Sequence, residues 1–191
     1  LNLVVLTLSV DPPLGGEPLG LPVNVRLHRK GGAGLLELAE EMLRQVTGWM
    51  PDRCIELCAD GFYAPLAGLR LPRVHITSRM RRDAAIYDMP PKSRKGQRGR
   101  PRKKGKRLPT AEKMANAQVG WREVTTEERG KTRTRLVLVK RVLWYKVLDD
   151  APVLLVICRD PEGIERDDFF FTTNLEATAE RVVSRYSGRR F

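Results

Sequence analysis

One segment in the middle of the chain carries almost all of its net charge. Between Arg79 and Arg107 there are 13 Lys and Arg residues against two Asp, a net charge of +11 out of +12 for the 191 residues. From Lys92 to Arg107 apolar side chains are almost absent, so we expect this part to be extended, or disordered without a partner. The core must therefore be built from the sequence on either side. A nearly neutral fold with one basic segment favours a polyanionic partner.

The sequence before the basic segment alternates between strand and helix patterns. Apolar runs predict a strand buried on both faces at Leu3–Val10 and a half-buried strand at Leu21–His28. A helical pattern follows from Leu35 to Val46. A buried strand is then predicted at Cys54–Ala59 and a further strand at Val74–Thr77, with a short helix between them. This order is typical of the α/β class with a mixed sheet.

The sequence after the basic segment is rich in strand patterns with short connections, which favour antiparallel pairing. The predicted strands are Trp121–Thr125, Thr134–Val139, Arg141–Leu148, Val153–Arg159 and Asp168–Thr173. Asn174 is then expected to cap a final amphipathic helix.

An Asp directly follows one of the predicted strands. A carboxylate held at the carboxyl end of a buried strand is well placed to bind a metal ion, and Asp60 stands at the end of Cys54–Ala59. However, Asp-Gly is also a common way to end a strand in a turn, and Gly61 follows. On these residues alone both interpretations are open.

The basic segment contains a Gly-Arg-Pro core flanked by cations, at Arg98–Lys106. This pattern resembles the AT-hook, whose slim extended backbone lays Arg side chains along the narrow minor groove of A·T-rich DNA. The alternative is a basic loop that contacts phosphates without reading sequence. Either interpretation makes nucleic acid the partner. The candidate DNA-binding residues are Arg98, Arg100, Arg102, Lys103, Lys104, Lys106 and Arg107.

Five stretches, taken in order, resemble the catalytic domain of a DDE transposase of a bacterial insertion sequence. They are Ala59–Tyr63, Ser78–Tyr87, Gly99–Lys103, Phe169–Thr173 and Tyr186–Arg189. The resemblance implies an α/β fold in which a ribonuclease-H-like mixed sheet core is interrupted by a β-rich insertion. Residues 1–78 would be the first part of the core without its first strand, and 79–173 the basic segment and insertion. Residues 174–191 would return to the core with the helix that leads to the catalytic Glu.

The resemblance also implies the chemistry. Such enzymes use Asp, Asp and Glu to hold two divalent ions, Mg²⁺ or Mn²⁺, for an in-line displacement at a DNA phosphate. Asp60 matches the second Asp. The first Asp is expected before Leu3 and the Glu two residues beyond Phe191, so the chain is expected to be a fragment that is inactive alone. Asp11 is a weaker candidate for the first Asp, in a context unlike that of the family.

Tyr186 and Arg189 match the Tyr-x-x-Arg signature of the family. The resemblance implies that Arg189 contacts a DNA phosphate and that Tyr186 orients the terminal strand near the cut. From the residues alone they would be a core Tyr and a surface Arg on an amphipathic helix. The implied partner is double-stranded DNA, as transposon ends and target, bound by a homo-oligomer in a synaptic complex. Two further hypotheses are a non-enzymatic DNA-binding protein that uses the AT-hook-like segment, and a degraded remnant.

Other features narrow the class of protein. The three cysteines form no disulfide framework, and Cys54, Cys58 and Cys158 are expected to be reduced core residues of a cytoplasmic protein. Trp121 and Trp144 are expected to be core residues rather than base-stacking ones. No apolar run in the sequence reaches the length needed to span a bilayer, so no membrane association is expected.

Overall fold

A computed structural model describes residues 2–13, 15–91, 101–117 and 119–188. Within these ranges there are eight strands, four α-helices and one 3₁₀ helix. The strands form a two-stranded and a six-stranded sheet. The six-stranded sheet contains both parallel and antiparallel pairs, which confirms the predicted mixed α/β class and is consistent with a ribonuclease-H-like fold.

The first two strands form an antiparallel hairpin. It consists of β1 (Asn2–Val10) and β2 (Leu19–His28), and the inner face of β1 packs on α1 (Leu35–Trp49) through Val4 and Leu38. The outer face is exposed, so the prediction that the first strand is buried on both faces is wrong: a helix covers only one side of the hairpin. The exposed apolar residues of the hairpin include Leu3, Val5, Leu8, Val23, Val25 and Leu27.

The six remaining strands form one sheet in the order β3-β4-β8-β7-β6-β5. They are β3 (Ile55–Ala59), β4 (Val74–Arg79), β5 (Arg122–Glu128), β6 (Lys131–Leu143), β7 (Pro152–Arg159) and β8 (Asp168–Thr172). Only the β3–β4 pair of this sheet is parallel. The predicted β-rich part therefore extends the sheet of β3 and β4 through the β4–β8 pair.

One long strand replaces two predicted ones. Residues 134–139 and 141–148 were predicted as separate strands, but β6 runs without a break to Leu143. Its pairing with β7 continues through the charged residues, with Lys140 opposite Leu155 and Arg141 opposite Leu154. The chain then turns into the short helix α3 (Tyr145–Leu148). The ladder thus continues through charged residues in the middle of the strand.

The last helix begins later than predicted. Asn174 caps only a turn, in which its side-chain oxygen accepts a hydrogen bond from the backbone N–H of Glu176 at 3.1 Å. The helix itself is α4 (Ala179–Ser187), and its N-cap is Thr178, whose hydroxyl accepts from the Arg181 N–H at 3.3 Å. Asn and Thr are both favoured N-cap residues, and the helix uses the later one.

Successive side chains of a strand point to opposite faces of the sheet. At β7, both faces of the sheet are buried. On β7, Leu155 and Ile157 face the cluster under the 3₁₀ helix (Gly61–Leu69) and α2 (Ala111–Asn116). Leu154 and Val156 face the cluster under α4. None of the helices in the described ranges has the length and apolar character needed to cross a membrane.

The cysteines and two of the tryptophans were expected to be core residues, and all of these except Cys54 are at least half-buried. Cys158 is buried, and burial raises the pKa of its thiol to about 12. Cys58 is half-buried, but Cys54 is exposed because it precedes β3 in an irregular segment, so its prediction as a core residue is wrong. Trp144 is buried and Trp121 half-buried, and both pack in the cluster on the 3₁₀-helix side.

Candidate active site and basic surface

Asp60 stands at the carboxyl end of β3, where the strand gives way to the 3₁₀ helix. It is the N-cap of that helix, and its Oδ1 accepts a hydrogen bond from the Phe62 N–H at 3.1 Å. Its backbone carbonyl accepts one from the buried Ser78 hydroxyl at 2.9 Å. The side chain is exposed. Asp60 therefore serves as a turn residue, and its carboxylate is also open to solvent at the edge of the sheet.

Arg79 lies beside Asp60 because β3 and β4 are parallel. Ala59, the last residue of β3, pairs with Ser78, and Arg79 is the last residue of β4. The two backbones are close: a Cβ placed on Gly61 would lie 3.3 Å from the carbonyl oxygen of Arg79. In the sequence, Arg79 starts the basic segment and belongs to the stretch Ser78–Tyr87, and neither position predicts a place beside Asp60. Its position two residues after the predicted strand Val74–Thr77 was the signal that could have placed it here.

The guanidinium of Arg79 connects this edge to two other elements. Its Nη2 lies 3.0 Å from Oδ1 of Asp168, at the start of β8, and its Cζ lies 5.7 Å from the ring centroid of Tyr186 in α4. Burial raises the pKa of Asp168, and the positive charge of Arg79 acts in the opposite direction.

Tyr186 is a buried residue whose ring packs on Phe170, with 4.5 Å between the ring centroids. This is the position that the amphipathic-helix interpretation assigns to it. A second contact fixes α4 against β3, since Arg181 Nη2 lies 2.8 Å from Oε1 of Glu56. The elements that carry Asp60, Arg79 and Tyr186 are thus held together by direct contacts. Arg189 lies outside the described residues.

A cavity of about 300 Å³ opens next to Asp60. Its walls combine apolar surface from the 3₁₀ helix and α3 with two cations at the end of β4. Trp144 is one of the lining residues. Only 7% of it is exposed, because its indole also packs edge-on against Phe171, with 5.4 Å between the ring centroids. The main lining residues are Phe62, Pro65, Arg79, Arg81, Trp144 and Val147.

At this edge the carboxylate of Asp60 is open to solvent, whereas that of Asp168 is paired with Arg79. Across the ranges that the structure describes, no group of three or more His, Cys, Asp or Glu side chains could hold an ion. Mg²⁺ is commonly bound by one or two carboxylates, with water and phosphate oxygens completing its shell. Asp60 therefore fits as one ligand of such an ion, and these residues do not form a complete two-ion site.

The basic segment is partly built into the fold. Residues 105–108 pair with the backbone of residues 86–88, so the alternative that this end of the segment is disordered without a partner is wrong. Lys104 is half-buried between two aromatic rings. Arg98 and Arg100 lie outside the described residues. The exposed candidates are Arg102, Lys103, Lys106 and Arg107.

A family model described as DDE superfamily endonuclease matches residues 29–143, more than half of the chain. The match includes Asp60, Arg79 and the basic segment, while Tyr186 lies outside it. No curated protein matches the chain, and no solved structure does.

Proposed function

This chain belongs to the DDE superfamily endonucleases, and from that premise we propose that it takes part in DNA transposition. The proposed reaction is metal-dependent strand cleavage and transfer by a bacterial insertion-sequence transposase. Its substrates would be double-stranded transposon ends and target DNA, brought together in the cytoplasm by a homo-oligomer. The family match supports the class of reaction. The structural observation that supports this reaction most directly is the position of Asp60.

The proposal assigns Asp60 the role of a metal ligand. It is exposed at the carboxyl end of β3, and its backbone is fixed by Ser78 and the 3₁₀ turn, so the carboxylate has a defined position. Two divalent ions, Mg²⁺ or Mn²⁺, would supply activation of the attacking oxygen and stabilisation of the leaving oxygen. The other ligands would come from residues outside this described set.

Two further residues would act at the same edge. The backbone of Arg79 lies beside that of Asp60, and its guanidinium, beside Asp168 and Tyr186, is proposed to bind a DNA phosphate at this edge. Tyr186 is proposed to orient the strand near the cut, and its ring is held by Phe170 and Arg79. Arg189 remains a predicted phosphate contact, on the strength of the Tyr-x-x-Arg signature.

The exposed cations of the basic segment would bind the duplex. Arg102, Lys103, Lys106 and Arg107 are solvent-accessible. Neutralising DNA phosphates releases counterions, so affinity should fall steeply as salt rises. Arg98 and Arg100 would join this surface if the AT-hook interpretation is right.

The test is Mg²⁺-dependent nicking of a plasmid that carries the element ends, using the protein as its gene encodes it. Asp60→Asn keeps the size and the capping oxygen but removes the charge. We expect nicking to fall at least about a hundredfold, the scale on which loss of one transition-state-stabilising group acts. Asp52→Asn is the matched control, since Asp52 is an exposed Asp before the other end of β3.

The outcomes separate the two main hypotheses. Retained nicking in Asp60→Asn would remove Asp60 from the active site. Duplex binding by the unmodified protein without any nicking would favour the non-enzymatic DNA-binding hypothesis.

A further inference from the structure

The basic segment re-enters the fold through a short ladder of backbone hydrogen bonds. The N–H of Gly105 donates to the carbonyl of Asp88, the N–H of Asp88 to Lys106, and the N–H of Leu108 to Ile86, all at 2.9 Å. We call residues 86–89 and 104–108 the stem.

The stem is attached to the main sheet through Tyr87. On its other side Tyr87 exchanges two 2.9 Å backbone hydrogen bonds with Leu143, the last residue of β6. The first half of β6 pairs with β5. The stem therefore continues the row of β5 along β6, and the basic segment leaves the fold from this hydrogen-bonded position beside the sheet.

The two sides of the stem lie unusually close together at Gly105. A Cβ at this position would lie 2.4 Å from the carbonyl oxygen of Met89 and 2.8 Å from that of Asp88. Both neighbours are backbone atoms, which cannot move aside as a flexible side chain can. Only glycine fits, so the path of the chain next to Lys104 is closely defined.

Lys104 differs from the cations around it. Its Nζ lies 4.1 Å from the ring centroid of Tyr87 and 4.7 Å from that of Tyr145 in α3. Aromatic faces attract a cation at these distances, most strongly when water is partly excluded, and Lys104 is half-buried. The ammonium thus joins the stem to α3, whereas Lys103 and Lys106 on either side are exposed.

We propose that Lys104 is a positioning residue for DNA binding rather than a phosphate contact. By holding the stem against Tyr145, it presents Arg102, Lys103, Lys106 and Arg107 to the duplex from a fixed backbone. This inference rests on the proposed function in one respect, because it assumes that the exposed cations bind DNA. The structural role of Lys104 can be tested without DNA.

The first experiment measures duplex affinity over a range of salt concentrations. A lysine that contacts phosphate adds about 0.9 to the slope of log affinity against log salt. Lys104→Met should leave this slope unchanged and weaken binding about three- to tenfold at every salt concentration, the scale of a lost cation–π contact. Tyr145→Leu removes no charge and should produce the same uniform loss. Lys104→Arg, which keeps a cation over the rings, should restore affinity.

Two lysines provide controls for the loss of charge. Lys103→Met should lower the salt slope by about 0.9, as expected for an exposed phosphate contact. Lys131→Met should change neither slope nor affinity, since the exposed Lys131 lies at the far end of β6 from Leu143.

The second experiment measures hydrogen exchange in the free protein. The amides of Gly105, Asp88 and Leu108 are hydrogen-bonded in the stem. They should exchange at least about threefold faster in Lys104→Met, because the stem opens more often when its attachment is lost. Amides of β7 should be unaffected, which shows that the variant is folded.

Either experiment can overturn the inference. A reduced slope in Lys104→Met together with unchanged binding in Tyr145→Leu would make Lys104 a phosphate contact. Unchanged exchange in the stem would show that Lys104 does not hold it. If the unmodified protein binds no duplex, the proposed function fails, and the exchange measurement alone still decides the role of Lys104 in the stem.

Discussion

The guanidinium of Arg79 lies over the ring of Tyr186, with 5.7 Å between Cζ and the ring centroid. Arg79 ends β4 and Tyr186 belongs to α4, so the contact joins the helix to the sheet edge that carries Asp60. The same guanidinium is paired with Asp168 at 3.0 Å. One side chain thus connects three elements at the proposed catalytic edge.

Replacing Arg79 with Met should raise the pKa of Asp168. Burial already raises this pKa, and the positive charge of Arg79 opposes the shift, so its removal leaves only the charge of Arg135 to oppose the effect of burial. The pKa can be followed by NMR titration of the Asp168 carboxyl. Arg79→Lys keeps the charge and should change it less. Because both partners are partly exposed, the loss of stability should be only about 1 kcal/mol.

Shortening Tyr186 should test its place in the core. Tyr186→Ala removes a ring that is 4% exposed and packs on Phe170, so unfolding free energy should fall by about 3–5 kcal/mol. Tyr186→Phe keeps the ring and should cost far less. Denaturant unfolding measures both. If Tyr186→Phe remains stable but reduces nicking, the hydroxyl acts on DNA; equal stability of Tyr186→Ala and the unmodified protein would contradict the packing.

Two substitutions of Asp60 separate its turn role from its proposed metal role. Asp60→Ala removes the cap on the Phe62 N–H and should cost about 0.5–2 kcal/mol in thermal unfolding. Asp60→Asn retains a capping oxygen and should cost little. If Asn is as destabilising as Ala, the charge rather than the hydrogen bond stabilises the turn.

Adding a methyl group at Gly105 should break the stem. Gly105→Ala would place a carbon 2.4 Å from the Met89 carbonyl oxygen, and the strain should lower stability by about 1–3 kcal/mol. Gly48→Ala is the matched control: it lies in α1 with no atom near the added carbon, and should be neutral or stabilising. A stem that tolerates Gly105→Ala, with unchanged hydrogen exchange, would contradict the close approach.

The ion pair of Glu128 and Arg135 should make stability depend on acid pH. Its two hydrogen bonds are both 2.7 Å, and both side chains are largely buried. Burial acts to raise the pKa of Glu128, but hydrogen bonds from Arg135 and Thr126 outweigh it, and the pKa is lowered.

The lowered pKa sets the direction of the effect. A carboxyl whose pKa is lower in the folded state stabilises the fold above its unfolded pKa of about 4.3, and this stability is lost as pH falls through the folded value. Glu128→Gln should therefore cost about 1–3 kcal/mol at neutral pH and reduce the loss of stability below pH 4.3. Urea unfolding at a series of pH values measures this. An unchanged pH dependence would mean that Glu128 has no part in it.

The residues that decided the fold class could be recognised from local patterns. The continuous apolar run of β7 and the helical spacing of α1 depend on neighbours in sequence, so the elements were predicted within a few residues. Only part of the candidate site could be predicted from the sequence. Asp60 was found because an Asp after a strand is a local signal, whereas Arg79 was missed, because its place beside Asp60 arises from the pairing of β3 with β4.

By itself, the sequence determined the α/β class, the basic segment and the candidacy of Asp60. These follow from hydrophobic periodicity and from charge, which are properties of short stretches of chain. Only the tertiary structure decided that the predicted insertion extends the core sheet, that Arg79 meets Tyr186, and that Lys104 lies between Tyr87 and Tyr145. Such contacts join residues far apart in sequence, and they depend on which strands pair, a choice that local patterns leave open.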